Sequence, residues 1–400
     1  MTLQGSRLVA FALVVLVGTG AYVRAPWLAY LTVGAGVLAL LARPGFARHP
    51  FGDLPAAPLS GFLLYNALFL VHSAATVTDP ATLLVRIVSI GTFLVTLASW
   101  NAALSRRADG SPAGDATLAA VVALAVLLAA QVFEALGIIE RRVGGLDEEA
   151  AAFAHRPGGF MNPNTAAATA LVLLHATVRA RAGAVALACA SVLAAAVAGL
   201  SQSRAVLPLL ALYLLVGARR RPALVAPWLV ALPVLLAWAD RALIDAVVEP
   251  VAAAVARFSG AEESSLERGA LLQRALWAID DAPWLGHGWG YLVRVTNFSS
   301  HNEVIEHMVH FGALSLPLFG LAFALLYLPV SPWFALLALV PMTAFSHNFF
   351  DTTSFQAALG LAFALERRHA ASVSGRRVAR AGPRARAARP SPGPAAGAPA

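Results

Sequence analysis

The chain reads as an all-α polytopic membrane protein, and three observations predict it. Of 400 residues, 59% are hydrophobic and 12% charged, and the mean hydropathy is +0.71, a composition too apolar for a water-soluble domain. Apolar runs long enough to cross a hydrocarbon core of about 30 Å, which takes roughly 17 to 25 helical residues, recur along the chain. Basic and acidic residues sort onto alternate inter-span segments, as a chain threading back and forth through a bilayer requires.

The runs fall near 8–23, 26–42, 58–76, 82–104, 116–138 and 163–180, then 182–200, 205–218, 222–238, 303–329, 333–346 and 354–366. That makes about twelve spans by the length criterion. The first follows Arg7 and lacks a small-residue cleavage site, and a second run follows within a few residues, so it reads as a retained helix. One large polar segment, 239–302, interrupts the pattern between the ninth and tenth spans, and residues 1–366 form a single integral membrane domain. Residues 367–400, rich in Arg, Pro, Gly and Ala, read as a disordered basic tail able to touch anionic headgroups.

Every basic residue counted among the 29 is Arg. With a cytoplasmic N-terminus, Arg43, Arg48, Arg106, Arg107, Arg179, Arg181, Arg219, Arg220, Arg221 and the tail arginines all fall inside. Asp147, Glu148, Glu149, Asp240, Asp245, Glu249, Glu262, Glu263, Glu267, Asp280, Asp281, Glu303 and Glu306 fall outside. Both termini are then cytoplasmic and the 239–302 segment is external. The isoelectric point near 10.6 reflects this topology, and no nucleic-acid partner is inferred from it. Cys189 is the single cysteine, so no intrachain disulfide and no thiolate metal cluster can form.

Four polar stretches face the expected outer side: 139–162, the SQSR turn, 239–302 and the SHNFFDTTS turn. In GGFMNPN, Asn162 is placed to cap a helix that opens with Pro163, and Gly158 and Gly159 loosen the approach. Such an outward helix start suits an anion, although a well-capped entry into a span is the plainer account of this segment. Arg204 closes SQSR at the membrane edge, where snorkelling and ligand binding both fit. Ser264 and Glu267 have capping-box spacing at the start of an amphipathic helix bearing Arg268 and Arg274. Either arginine can bind an anion or pair with Glu267, Asp280 or Asp281.

PWLGHGWGYL combines turn glycines with Trp284, Trp289 and Tyr291. These rings suit sugar stacking or an interfacial aromatic belt. His287 lies between glycines with no carboxylate at a telling spacing, and reads as structural or accessory. Four of the ten histidines lie between residues 287 and 310. Ser300 and Glu303 are spaced as another capping box, which puts His301 at a helix mouth above a stripe of Glu303, Glu306, His307 and His310. Ionisable groups on a membrane helix normally face the bundle or a wet cavity. No spacing among them specifies a metal shell, so neither a metal nor another cofactor is expected.

In their order, GxFxNPN at Gly158 to Asn164, SQSR at Arg204, RxxxL at Arg268, PWLGHGWG and the His301-Asn302 pair make the chain resemble the O-antigen ligase family, over roughly residues 60–365. That family includes lipopolysaccharide O-antigen ligases, related polysaccharide polymerases and protein oligosaccharyltransferases. The resemblance implies a GT-C-like helical fold and a metal-independent, inverting glycosyltransferase. Its donor would be a polyprenyl-pyrophosphate-linked glycan, its acceptor a glycan, lipid or protein, and its place the outer face of a bacterial cytoplasmic membrane. His301, Arg268 and Arg204 would be catalytic, with Asn302, Asn164, Asn162, Arg156, Arg274 and Trp289 binding substrate.

The chemistry of the residues points the same way. Pyrophosphate departure needs positive charge, which a guanidinium supplies bidentately and permanently. A sugar hydroxyl needs a base, and an imidazole with an ordinary pKa of about 6.5 serves that role. A polymerase of the same family, a transporter or flippase, and a noncatalytic scaffold in an envelope complex are the competing readings.

Overall fold

The computed structural model describes residues 3–23, 26–41, 56–76, 80–104, 111–140, 156–203, 205–229, 262–296, 302–326, 332–345, 352–366 and 368. Among them the regular structure is helical and no strand occurs. Three helices contain stretches long and apolar enough to cross a membrane, Ile87–Leu104, Ala113–Ala135 and Ala184–Ser201. Shorter apolar helices include Arg7–Val17, Trp27–Leu41 and Val206–Ala218.

Helices Ser111–Ala135, Pro163–Arg179 and Ala184–Ser201 pack against one another and carry a large part of the main core, through Ala120, Leu124, Leu127, Leu171, Leu174, Ala194 and Val197. Alanine dominates these contacts, and small side chains let helix backbones approach where lipid offers no hydrophobic drive between helices. The last described helix, 353–366, is buried along its whole length. It seats Gly360 against Phe93 and Thr96 of helix Pro80–Leu104, with a Cβ at Gly360 meeting the Phe93 carbonyl at 3.0 Å. Phe363 meets Phe93 edge-on at 5.8 Å.

Contacts at the helix ends fix the threading. Tyr22 and Thr353 share a side-chain hydrogen bond, Ser354 lies 3.9 Å from the Met161 sulfur, and Gln131 bonds Ser201. The segments expected on one side of the bilayer therefore meet at one end of the bundle. At the other end, Arg7 pairs with Asp115 at 3.3 Å.

That second end also holds a buried polar cluster that the sequence reading missed. The His175 ring nitrogens lie 2.9 Å from the Tyr213 hydroxyl and 2.7 Å from a Glu366 carboxylate oxygen. Arg179 Nε donates to the same Glu366 oxygen. The His175 ring stacks on Phe334 at 3.8 Å, and Tyr213 stacks on Trp333 at 5.1 Å. A neutral His175 satisfies every contact, accepting from Tyr213 at Nδ1 and donating from Nε2 to Glu366, while the Arg179 and Glu366 charges cancel. This arrangement lets ionisable groups remain inside an apolar bundle.

Three expectations are corrected. The run 303–329 is not one span: helix Glu303–Phe311 ends at Gly312, and a second helix occupies Ser315–Leu326. Gly312 sits at φ 73°, ψ 176°, a conformation open to glycine, and Ala313 N–H is drawn to the Pro283 carbonyl at 2.8 Å. The cap of Glu303–Phe311 is Asn302 rather than Ser300, because its Oδ1 accepts from both Val304 N (3.0 Å) and Ile305 N (3.1 Å). Ser264 likewise is no cap, since its helix already starts at Glu262. The span expected at 222–238 is described only to residue 229, as a 3-10 turn at Pro222–Leu224 and a short helical turn after it. The 367–400 tail lies outside the described residues apart from residue 368.

Candidate functional site

The GxFxNPN segment is held rigidly where three helix ends meet. Glu134, in the last turn of helix Ser111–Ala135, accepts from Gly158 N at 2.7 Å and Gly159 N at 2.6 Å through one carboxylate oxygen. Gly159 has φ +72° and lies against Ala130, so a side chain there would be strained and crowded. The glycines thus serve a tight fastening rather than the loose approach the sequence suggested. One turn before Glu134, Gln131 Nε2 donates to Ser201 Oγ at 2.7 Å and to the Pro157 carbonyl at 3.1 Å. Gln131 Oε1 is buried without a hydrogen-bond partner among the described residues.

Asn162 caps helix Pro163–Arg179 as the sequence predicts, accepting from Asn164 N at 2.9 Å, with Pro163 in the first turn. Arg156 joins this helix start to the SQSR segment. Its Nη2 donates to Asn164 Oδ1 at 2.8 Å and its Nε donates to the Ser201 carbonyl at 3.0 Å. Ser201 is the last residue of its helix, and Gln202 follows in the left-handed region at φ 46°. A guanidinium is therefore placed beside a capped, electropositive helix start, an arrangement that attracts oxyanions. Arg156, Asn162 and Asn164 form one site with Ser201.

Helix Glu262–Asp281, the glycine turn after it and helix Glu303–Phe311 make a second packed unit. Helix Glu262–Asp281 carries Arg268 and Arg274 and buries Ala275 and Ala278 with Leu292 and Val309. The glycine turn then lies along helix Glu303–Phe311, His287 N donating to the Val309 carbonyl at 2.8 Å and Gly288 N to the His310 carbonyl at 2.9 Å. His287 Nε2 donates to the Ala278 carbonyl at 2.8 Å, and the ring stacks on Tyr291 at 4.0 Å. This agrees with a structural His287. Trp289 packs half-buried beside Phe69 and Phe311, whereas Trp277 and Trp284 are exposed.

The expected polar stripe is real and faces inward. Glu303, Glu306, His307 and His310 are all buried. His310 Nε2 lies 3.9 Å from Glu306, and His307 meets Phe69 edge-on at 4.9 Å. No group of three or more His, Cys, Asp or Glu suited to a metal ion occurs among the described residues.

Arg274 is exposed on its helix. Asn302 commits its carbonyl oxygen to the helix cap. His301 and Arg204 lie outside the described residues, and of Arg268 only its backbone position in helix Glu262–Asp281 is described. The structure brings Arg156, Asn162 and Asn164 together; Asn302, Trp289 and Arg274 belong to the second unit. Sequence reasoning passed over Gln131 and gave Glu134 no role, although two polar residues three apart at the end of an apolar span were the available signal. No protein-family model matches the chain, and no curated protein matches it.

Proposed function

We propose that the chain is a glycosyltransferase that moves a glycan from a polyprenyl pyrophosphate to an acceptor hydroxyl at a membrane surface, the reading its motif order suggests. The observation that supports it most is the seat of Arg156. A guanidinium fastened to Asn164 and to the Ser201 carbonyl, beside the Asn162-capped helix start, is pre-positioned charge of the kind a departing pyrophosphate requires.

In this reaction the acceptor oxygen attacks the anomeric carbon as the bond from that carbon to the pyrophosphate oxygen breaks. The bonding pair leaves with the pyrophosphate, and inversion follows from the single displacement. His301 takes the acceptor proton, a contribution of roughly 10²- to 10⁴-fold for a general base. Arg204, Arg268 and Arg156 neutralise the charge growing on the leaving group, and the fixed guanidinium charge makes the transfer metal-independent. The bilayer holds the donor's polyprenyl chain, and the outer face of a bacterial cytoplasmic membrane is where both substrates meet.

Ligase and polymerase differ only in the acceptor, a different molecule or a second lipid-linked glycan. A transporter is the second reading, favoured by the buried His175, Arg179 and Glu366 cluster, because buried ionisable groups mark ion and substrate paths.

The deciding experiment incubates the purified chain with a lipid-pyrophosphate glycan and an acceptor, and follows free carrier pyrophosphate and product. Acceptor-dependent carrier release supports the transferase. Intact donor in the presence of acceptor, with translocation of the same lipid in proteoliposomes, would establish the transporter instead.

A further inference from the structure

At the end of the bundle away from Arg156, a groove of about 390 Å³ runs between the start of helix Ser111–Ala135 and the turn joining Pro163–Arg179 to Ala184–Ser201. Gly114, Thr117, Leu118, Val121, Arg181 and Ala186 line it. The volume falls within the range of about 300 to 1,000 Å³ common to small-ligand sites. At 1.5 Å per residue, Thr117 lies roughly 20 Å along the helix from Gln131, so the groove is remote from the Arg156 site.

Two further observations say what it takes. Arg181 stands in the left-handed region at φ 58°, which costs a side-chain-bearing residue roughly 1 to 2 kcal/mol relative to the ordinary backbone. Its N–H bonds the Val178 carbonyl at 3.2 Å, and Ala182 N bonds Thr177 O at 3.4 Å. This is a helix-ending turn in which glycine is the unstrained choice, and here it holds an exposed guanidinium at the groove instead.

The groove also opens onto the exposed face of helix Ser111–Ala135. Leu118 is 56% exposed and starts an outward stripe that continues through Ala125, Ala129 and Val132 along the same helix. A ligand with an anionic head beside Arg181 can thus lay its tail down this stripe.

We propose that this groove is a binding site for an anionic phospholipid of the surrounding membrane, its phosphate on Arg181 and one acyl chain along Leu118 and Val121. Basic pockets between membrane helices bind such headgroups. The site is independent of the glycosyl-transfer reading.

The test is native mass spectrometry of the full chain in detergent, titrated with phosphatidylglycerol or phosphatidylcholine. Phosphatidylglycerol should be retained about fivefold better, the worth of one arginine near an anionic headgroup. Arg181→Gly, which relieves the backbone strain, should erase that preference without lowering the melting temperature. Gly114→Leu should block retention of both lipids, because a Cβ at Gly114 meets nothing within 4 Å and the larger side chain enters the groove without disturbing the helix. Equal retention of the two lipids by the parent chain would overturn the proposal. So would a preference that survives both substitutions, or full competition by millimolar inorganic phosphate, which would make it a site for the free anion.

Discussion

Arg156 and Asn164 are joined by a hydrogen bond of 2.8 Å, and the same guanidinium reaches the Ser201 carbonyl at 3.0 Å. Through these bonds one arginine ties a helix start to the helix end at Ser201, 45 residues beyond Arg156 in the chain. In the proposed transferase this pairing sets the position of a cation at the leaving group. Arg156→Ala should lower carrier release by roughly 10²- to 10³-fold, as loss of one pre-positioned donor does in other enzymes. Arg156→Lys should recover little, since an ammonium cannot form the fork. Rates from purified variants at equal protein levels check both, and wild-type turnover by Arg156→Ala would remove this residue from the mechanism.

His301→Ala should abolish glycan transfer while membrane insertion and monodispersity persist. The expected loss is at least about 10²-fold, the lower bound for a general base. Carrier release is the readout, and normal turnover would dismiss His301 as the base.

Glu134 fastens two consecutive glycine N–H groups, and hydrogen bonds to a charged acceptor contribute roughly 1.5 to 3 kcal/mol each. Glu134→Ala should therefore lower thermal stability in detergent and loosen the Gly158–Gly159 turn, which faster amide hydrogen exchange at residues 156–162 would report. Unchanged exchange there would mean that other contacts hold the turn.

At the far end, Glu366 is shared by His175 and Arg179. Glu366→Ala strands the Arg179 charge within the bundle, and removing one partner of a buried pair typically costs about 3 to 5 kcal/mol. The double variant Glu366→Leu with Arg179→Leu should recover much of that loss, because an apolar pair of similar volume needs no compensation. Melting temperatures of the single and double variants decide it. Equal destabilisation by both would show that the carboxylate matters for His175 rather than for charge balance.

Gly312 separates helices Glu303–Phe311 and Ser315–Leu326 with φ at 73°, against the backbone of Trp284 and Leu285. Gly312→Ala should cost stability through both strain and crowding, by roughly 1 to 3 kcal/mol for a residue forced into such a region. A melting curve indistinguishable from the parent would refute a strained break at this point.

Local features were legible in the amino-acid order. Composition and run length announce an apolar helical chain, and the Asn162-Pro163 pair announces a capped helix start, because caps and periods are decided by residues within a turn or two of each other. The inward stripe of Glu303, Glu306, His307 and His310 was readable for the same reason. The capping-box spacing of Ser300 and Glu303 misled because Asn302, nearer the helix, offers its own carbonyl oxygen. The broken span at 303–329 escaped notice because an apolar run does not reveal that Gly312 is pulled out of line by Pro283 and Trp284, which approach from an earlier segment.

By itself, then, the sequence determined the helical character of the chain, the alternation of charge between its segments and the residue types able to handle a phosphate. Tertiary structure alone decided that Arg156 meets Ser201, that Glu134 grips the glycine pair and that His175 finds Glu366 from 191 positions away. Helix formation depends on near neighbours, whereas the partner of a buried polar group depends on which helix faces come together. That choice is made by the packing of many small side chains at once.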